Sequence, residues 1–108
     1  MQATVRRTGC DGPAGHLQCV IDEPAQAPRG VVVLCHPHPQ HGGTMDNKVI
    51  QTLARAFVQL GYRSVRFNSR GVGESQGEWA HGVGEIDDAL AVVRAFRDAA
   101  LPLAMGGF

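Results

Sequence analysis

Val31-Val32-Val33-Leu34-Cys35 is an unbroken apolar run of five residues, rich in valine. Hydrophobicity that is continuous at strand length, without alternation, fits a strand buried on both faces, as parallel sheets with helices on each side provide. The run is far too short for the roughly 20 residues that span a bilayer. From Asn47 the pattern becomes helical, with Val49, Ile50, Leu53, Phe57 and Leu60 on helical spacing. Asp46 or Asn47 suits the N-cap and Gly61 the C′ position. Tyr62 to Phe67 reads as the next strand, and a glycine-rich loop follows to Gly82. Val83, Ile86, Leu90 and Val93 mark a second helix, with Glu85, Asp87 and Asp88 in its first turns, where carboxylates favour the dipole. Leu101 to Met105 reads as a last strand. Upstream, Thr4 to Thr8 and His16 to Ile21 read as two short strands around the turn-rich Asp11-Gly12-Pro13-Ala14-Gly15. The order is β-β-β-α-β-α-β, which predicts an α/β fold with a mostly parallel sheet and right-handed crossovers.

A length of 108 residues suits one domain. The formal net charge is zero, which argues against a nucleic-acid partner, because phosphate contacts need a basic face. Apolar residues make up 44%, too many for a disordered chain. The first residues lead into no apolar segment of signal-peptide type, and nothing in the sequence predicts a membrane partner. Cys10, Cys19 and Cys35 lack C-x-x-C spacing, so a reduced, cytoplasmic protein is expected.

Two loops carry the chemistry. The first, Cys35 to Met45, follows the buried strand, at the end of the sheet where α/β folds place ligands. His36, His38 and His41 have the spacing H-x-H-x-x-H and could hold zinc. This comes close to the metallo-β-lactamase pattern, but Gln40 stands where that pattern has a carboxylate. Alternatively the loop forms an oxyanion hole. Pro37 and Pro39 have no N–H, which leaves that of His38 as the donor between them. Gly42 and Gly43 let the backbone pass close to a ligand. The second loop, Asn68 to Gly77, places glycines at 71, 73 and 77. The third is one position late for G-x-G-x-x-G and the helix begins well after it, so no dinucleotide is expected.

Together, His36-Pro37-His38-Pro39 followed by Gly42-Gly43-Thr44-Met45, then Arg66-Phe67-Asn68 with Arg70-Gly71-Val72-Gly73 and Ser75, then Gly84-Glu85-Ile86-Asp87-Asp88, resemble the α/β-hydrolase superfamily. The likeness is to small bacterial predicted hydrolases of dienelactone-hydrolase-like or esterase-like type. The resemblance implies a three-layer αβα sandwich, with residues 1–108 as the N-terminal half of a single domain. Residues 1–30 supply a β-hairpin and loop, residues 31–108 a β-α-β-α-β core, and the sheet order is 1-2-4-3-5. It implies a serine hydrolase acting on a small ester, thioester or lactone through an acyl-enzyme. The nucleophile is then expected in a G-x-S-x-G elbow directly after Phe108, with the acid and base of the triad later still. The C-terminal half of the fold is required, a small molecule is the substrate, and no cofactor or metal is expected. The His38 backbone N–H takes the oxyanion role. His36, His41, Gly42, Gly43 and Thr44 line the substrate pocket, and Asn68, Arg70, Gly71 and Gly73 support the second loop. Ser64, Ser69 and Ser75 are expected to lack both a base and an elbow. Two alternatives are a zinc metallohydrolase on His36, His38 and His41, and a non-catalytic protein that keeps the fold.

Overall fold

The computed structural model describes residues 4–38 and 42–107. Strands β1 (Thr4–Gly12) and β2 (Gly15–Glu23) form a hairpin that turns at Pro13 and Ala14. Both run further than the apolar pattern predicts, because backbone pairing continues through the polar residues, from Thr4 opposite Glu23 to Gly12 opposite Gly15. Next come β3 (Gly30–Cys35), α1 (Lys48–Gln59), β4 (Tyr62–Phe67), α2 (Val83–Phe96) and β5 (Leu103–Gly107). The last strand starts after Pro102, which has no N–H to pair; its carbonyl instead accepts from the Val31 N–H at 2.9 Å.

All five strands form one sheet in the order β1-β2-β4-β3-β5. The sheet is mixed, so the expectation of a mostly parallel one holds in part. β3 pairs parallel with β4 and β5, whereas β2 returns from the hairpin and pairs antiparallel with both β1 and β4. A helix covers each face. Val32 and Leu34 point to one side and pack on Ile50 and Ala54 of α1, while Val31 and Val33 point to the other and pack with Ala89, Val92 and Val93 of α2. Each fully buried Val of β3 is worth about 1.5–3 kcal/mol over an exposed one, so this strand anchors both layers.

The Asn47 side chain caps α1, accepting from the N–H groups of Val49 and Ile50 at 2.9 and 3.3 Å. Gly61 ends that helix with φ +89° and donates its N–H to the Val58 carbonyl at 2.9 Å. α2 stands where its periodicity predicts, but turned. Val83, Ile86 and Leu90 face solvent, and the helix buries Gly84, Asp88, Ala89, Val92 and Val93. Among the described residues no helix is long and apolar enough to cross a membrane.

Candidate active site

The three parallel strands end along one edge of the sheet. Leu34 pairs with Arg66 on one side and Cys35 with Gly107 on the other, so the backbone leaving β3, β4 and β5 emerges at a common place.

The loop after β3 is fixed by His36. Its Nδ1 lies 2.6 Å from the Pro37 carbonyl oxygen, and its Nε2 lies 3.1 Å from both the main-chain N–H and the hydroxyl of Ser69. A carbonyl can only accept and a main-chain N–H can only donate. The ring is therefore the neutral Nδ1–H tautomer, donating to Pro37 and accepting from Ser69. Burial lowers its pKa below the ordinary histidine value, and the hydrogen bond to Pro37 acts less strongly in the opposite sense. Both ring nitrogens are thus engaged, Nδ1 within the first loop and Nε2 across to the second, which argues against His36 as the first ligand of the three-histidine zinc arrangement. His41 lies outside the described residues.

Gly43 packs directly on the same loop. Its N–H donates to the His38 carbonyl at 3.2 Å, and a Cβ there would sit 2.0 Å from the Pro37 oxygen. Only glycine permits this approach. Gly42 is exposed, and the Thr44 hydroxyl accepts from the Asp46 N–H at 3.1 Å. None of Gly42, Gly43 and Thr44 lines the cavity described below.

The loop after β4 is built around Asn68, which is 3% exposed. Its Oδ1 accepts from the Met45 N–H and its Nδ2 donates to Gln18 Oε1, both at 2.9 Å. This ties β2, the first loop and the second loop together. A Cβ on Gly73 would collide with the same amide at 2.5 Å, and Gly71 closes the loop by donating to the Gln76 carbonyl at 3.1 Å. The Ser75 hydroxyl is consumed internally, donating to the Asn68 carbonyl at 2.6 Å and accepting from the Gln18 N–H at 2.9 Å. Ser69 departs from the expectation that it has no base nearby, since an imidazole nitrogen stands 3.1 Å from its hydroxyl. That nitrogen's one lone pair is shared with the Ser69 main-chain N–H, however, and Ser69 lies on no strand-to-helix elbow. Arg70 points to α2, where Nη2 and Nε meet the two carboxylate oxygens of Asp88 at 2.9 and 3.1 Å.

Between the two loops and the start of α2 lies a cavity of about 330 Å³. Cys35, Pro37 and Phe67 give it apolar walls, His36, His38 and Ser69 lie on the loop side, and Trp79, His81 and Glu85 on the helix side. Burial pushes the Cys35 thiol up, so it is no thiolate nucleophile. Sequence reasoning passed over Gln18, Trp79, His81 and Asp88 as parts of this site. Asp88 alone has a signal, the acidic run at the start of α2, which the sequence reading takes for its dipole and as part of the family resemblance but not as a partner of Arg70.

Residues 11–95 match the protein family described as X-Pro dipeptidyl-peptidase (S15 family), and the chain belongs to that family. Solved relatives share its fold. An alpha-beta serine hydrolase homologue from Coxiella burnetii is 43% identical with a TM-score of 0.85, covering 95% of this chain and 51% of that one. A lidless member of the α/β serine hydrolases from Xanthomonas campestris is 39% identical with a TM-score of 0.87, over 100% of this chain and 51% of that one. An uncharacterized protein of Rickettsia prowazekii is 37% identical over 83 residues, which is 77% of this chain and 35% of that protein. The chain thus spans about half the length of these solved relatives, and its fold is that of the α/β serine hydrolases.

Proposed function

We propose that the protein is a serine hydrolase that cleaves a small ester, thioester or lactone through an acyl-enzyme. The observation that carries this reading is the pairing of Gly107 with Cys35, which brings the end of β5 to the mouth of the cavity, beside the His36–His38 loop. A serine in the turn after β5 attacks the carbonyl carbon. The N–H of His38 and that of the residue after the serine hold the developing oxyanion; a histidine further along the chain takes the serine's proton and passes it to the departing alcohol or thiol as the C–O or C–S bond breaks, and water then hydrolyses the acyl-enzyme. The remaining half of the fold pairs with β5 and supplies the rest of the pocket. Cys10, Cys19 and Cys35 are all free thiols, which fits a reducing compartment such as the cytoplasm.

The experiment is a three-variant panel in the full-length protein: His36→Ala, His38→Ala and His41→Ala, each measured for kcat on short p-nitrophenyl esters and for zinc content. An X-Pro amide, named in the family's description, joins the substrate panel. His38→Ala keeps its main-chain N–H, so it should lose far less than the roughly 10²–10³ in kcat that removal of an oxyanion donor costs. His38→Pro removes the N–H and should cripple turnover, with a folding control for three successive prolines. Loss of stoichiometric zinc together with activity in all three alanine variants replaces the serine hydrolase with a metallohydrolase.

A further inference from the structure

We infer that Trp79 is the specificity-determining wall of the cavity, holding it to small acyl or ring groups; this rests on the serine-hydrolase reading above. The indole lies between two imidazoles. Its ring centre is 5.0 Å from that of His38 at an interplanar angle of 59°, and 4.3 Å from that of His81 at 48°. It thereby bridges the loop that carries the oxyanion donor and the start of α2. Trp79 is the bulkiest of the side chains that line the cavity, so it takes up the most space there and its truncation frees the most.

The support behind the ring is built at some cost. His81 has φ +57° and is the only non-glycine residue in the left-handed region among the described residues. A side chain held there is strained and persists only if its surroundings impose it. Glu85 does so. Its Oε2 accepts from the Ala80 N–H at 2.8 Å and its Oε1 from the Gly82 N–H at 3.0 Å, which pins the backbone on both sides of His81. What this strained turn achieves is to set the His81 imidazole against Trp79. Glu85 is the positioning residue of the device, and Trp79 is the group a substrate meets.

The test compares p-nitrophenyl acetate, butyrate and octanoate in the full-length protein and its variants Trp79→Ala, Trp79→Phe and His81→Gly. One methylene in a fitted pocket changes kcat/KM by about tenfold or more. Trp79→Ala should therefore raise the octanoate-to-acetate ratio of kcat/KM at least about tenfold, whereas Trp79→Phe should keep the wild-type order. Glycine takes the backbone of residue 81 without strain, so His81→Gly should shift the ratio the same way, less far, with no fall in Tm. It also carries the test if Trp79→Ala fails to fold. Changes by one common factor across all three esters overturn the inference while leaving the serine hydrolase intact. A wild type that cleaves no ester instead strikes the underlying reading. In that event the emission of Trp79, the only tryptophan of the 108 residues, is followed against Trp79→Phe. Saturable quenching by butyrate but not octanoate supports the small-group wall, and equal quenching by both overturns it.

Discussion

The Arg70 guanidinium closes on the Asp88 carboxylate with Nη2 to Oδ1 at 2.9 Å, and the Asp88 side chain is completely buried. The Arg70 main-chain N–H donates to the same carboxylate at 2.9 Å, and Nη2 also donates to the Gly84 carbonyl at 2.9 Å. One ion pair thus fixes the second loop to α2 and decides which face of the helix turns inward. Gly84 belongs to the arrangement, since a Cβ there would lie 2.5 Å from the guanidinium carbon.

Removing one partner of such a buried pair strands the other charge. Asp88→Ala should destabilise the protein by about 3–5 kcal/mol in urea denaturation. The double variant Arg70→Met, Asp88→Leu should recover much of that loss, because no uncompensated charge remains. Additive losses in the double variant would show that the pair acts through packing alone.

His36 gives the fold a pH dependence of known sign. Burial lowers the folded pKa below the ordinary value of 6.5, so the unfolded chain binds the extra proton first as pH falls. The contribution is fully present above the unfolded value and is lost as pH drops through the folded one. Protonation would also set a second N–H against the main-chain N–H of Ser69. Denaturation midpoints should be level above about pH 6.5 and decline towards pH 5, while His36→Asn should start lower and lack that component. An unchanged slope in the variant rules out His36 as its source.

Gly43→Ala tests whether the first loop is held by backbone contact. The new Cβ meets the Pro37 carbonyl, which is backbone and cannot swing aside, so a loss of about 1–3 kcal/mol is expected. Turnover by the full-length protein should fall more than in Gly42→Ala, where the added Cβ meets no atom within 4 Å and carries only the strain of φ +77°. Equal turnover in the two variants contradicts the proposed role of the His38 peptide.

These contacts also show where sequence reasoning reached and where it stopped. Asn47, Gly61 and the two-sided burial of Val31 to Leu34 act locally or through periodicity, and are legible from neighbours in the chain. The burial of Asp88 in place of Val83 or Ile86 is not, because it depends on a guanidinium 18 residues away that outweighs the helix's own apolar stripe. Gln18, on a strand far upstream, enters the site only because β2 pairs beside β4. Trp79 and His81 lie in a loop without periodicity, so nothing in their spacing announces a cavity wall. The hairpin and the strand order are legible, but the share of antiparallel pairing is not, because the apolar pattern of β2 does not encode its direction relative to β4.

β5 lies at one edge of the sheet, with Met105 51% exposed, while Val83 and Ile86 on α2 are 72% and 63% exposed. An open strand edge and exposed apolar side chains each promote association. Residues 1–108 expressed alone should self-associate with rising concentration in light scattering, and Met105→Lys should weaken this. A monodisperse monomer at all concentrations contradicts the proposal that further strands cover β5.

The most direct measurement is fluorophosphonate labelling of the full-length protein, with the modified serine located by mass spectrometry. A single adduct is expected on a serine in the turn that follows β5, because Gly107 at the end of that strand pairs with Cys35, which lines the cavity. Ser75 should stay unlabelled, its hydroxyl already committed to Asn68 and Gln18. An adduct on Ser69, whose hydroxyl stands 3.1 Å from His36 Nε2, or no adduct on any serine, would contradict it.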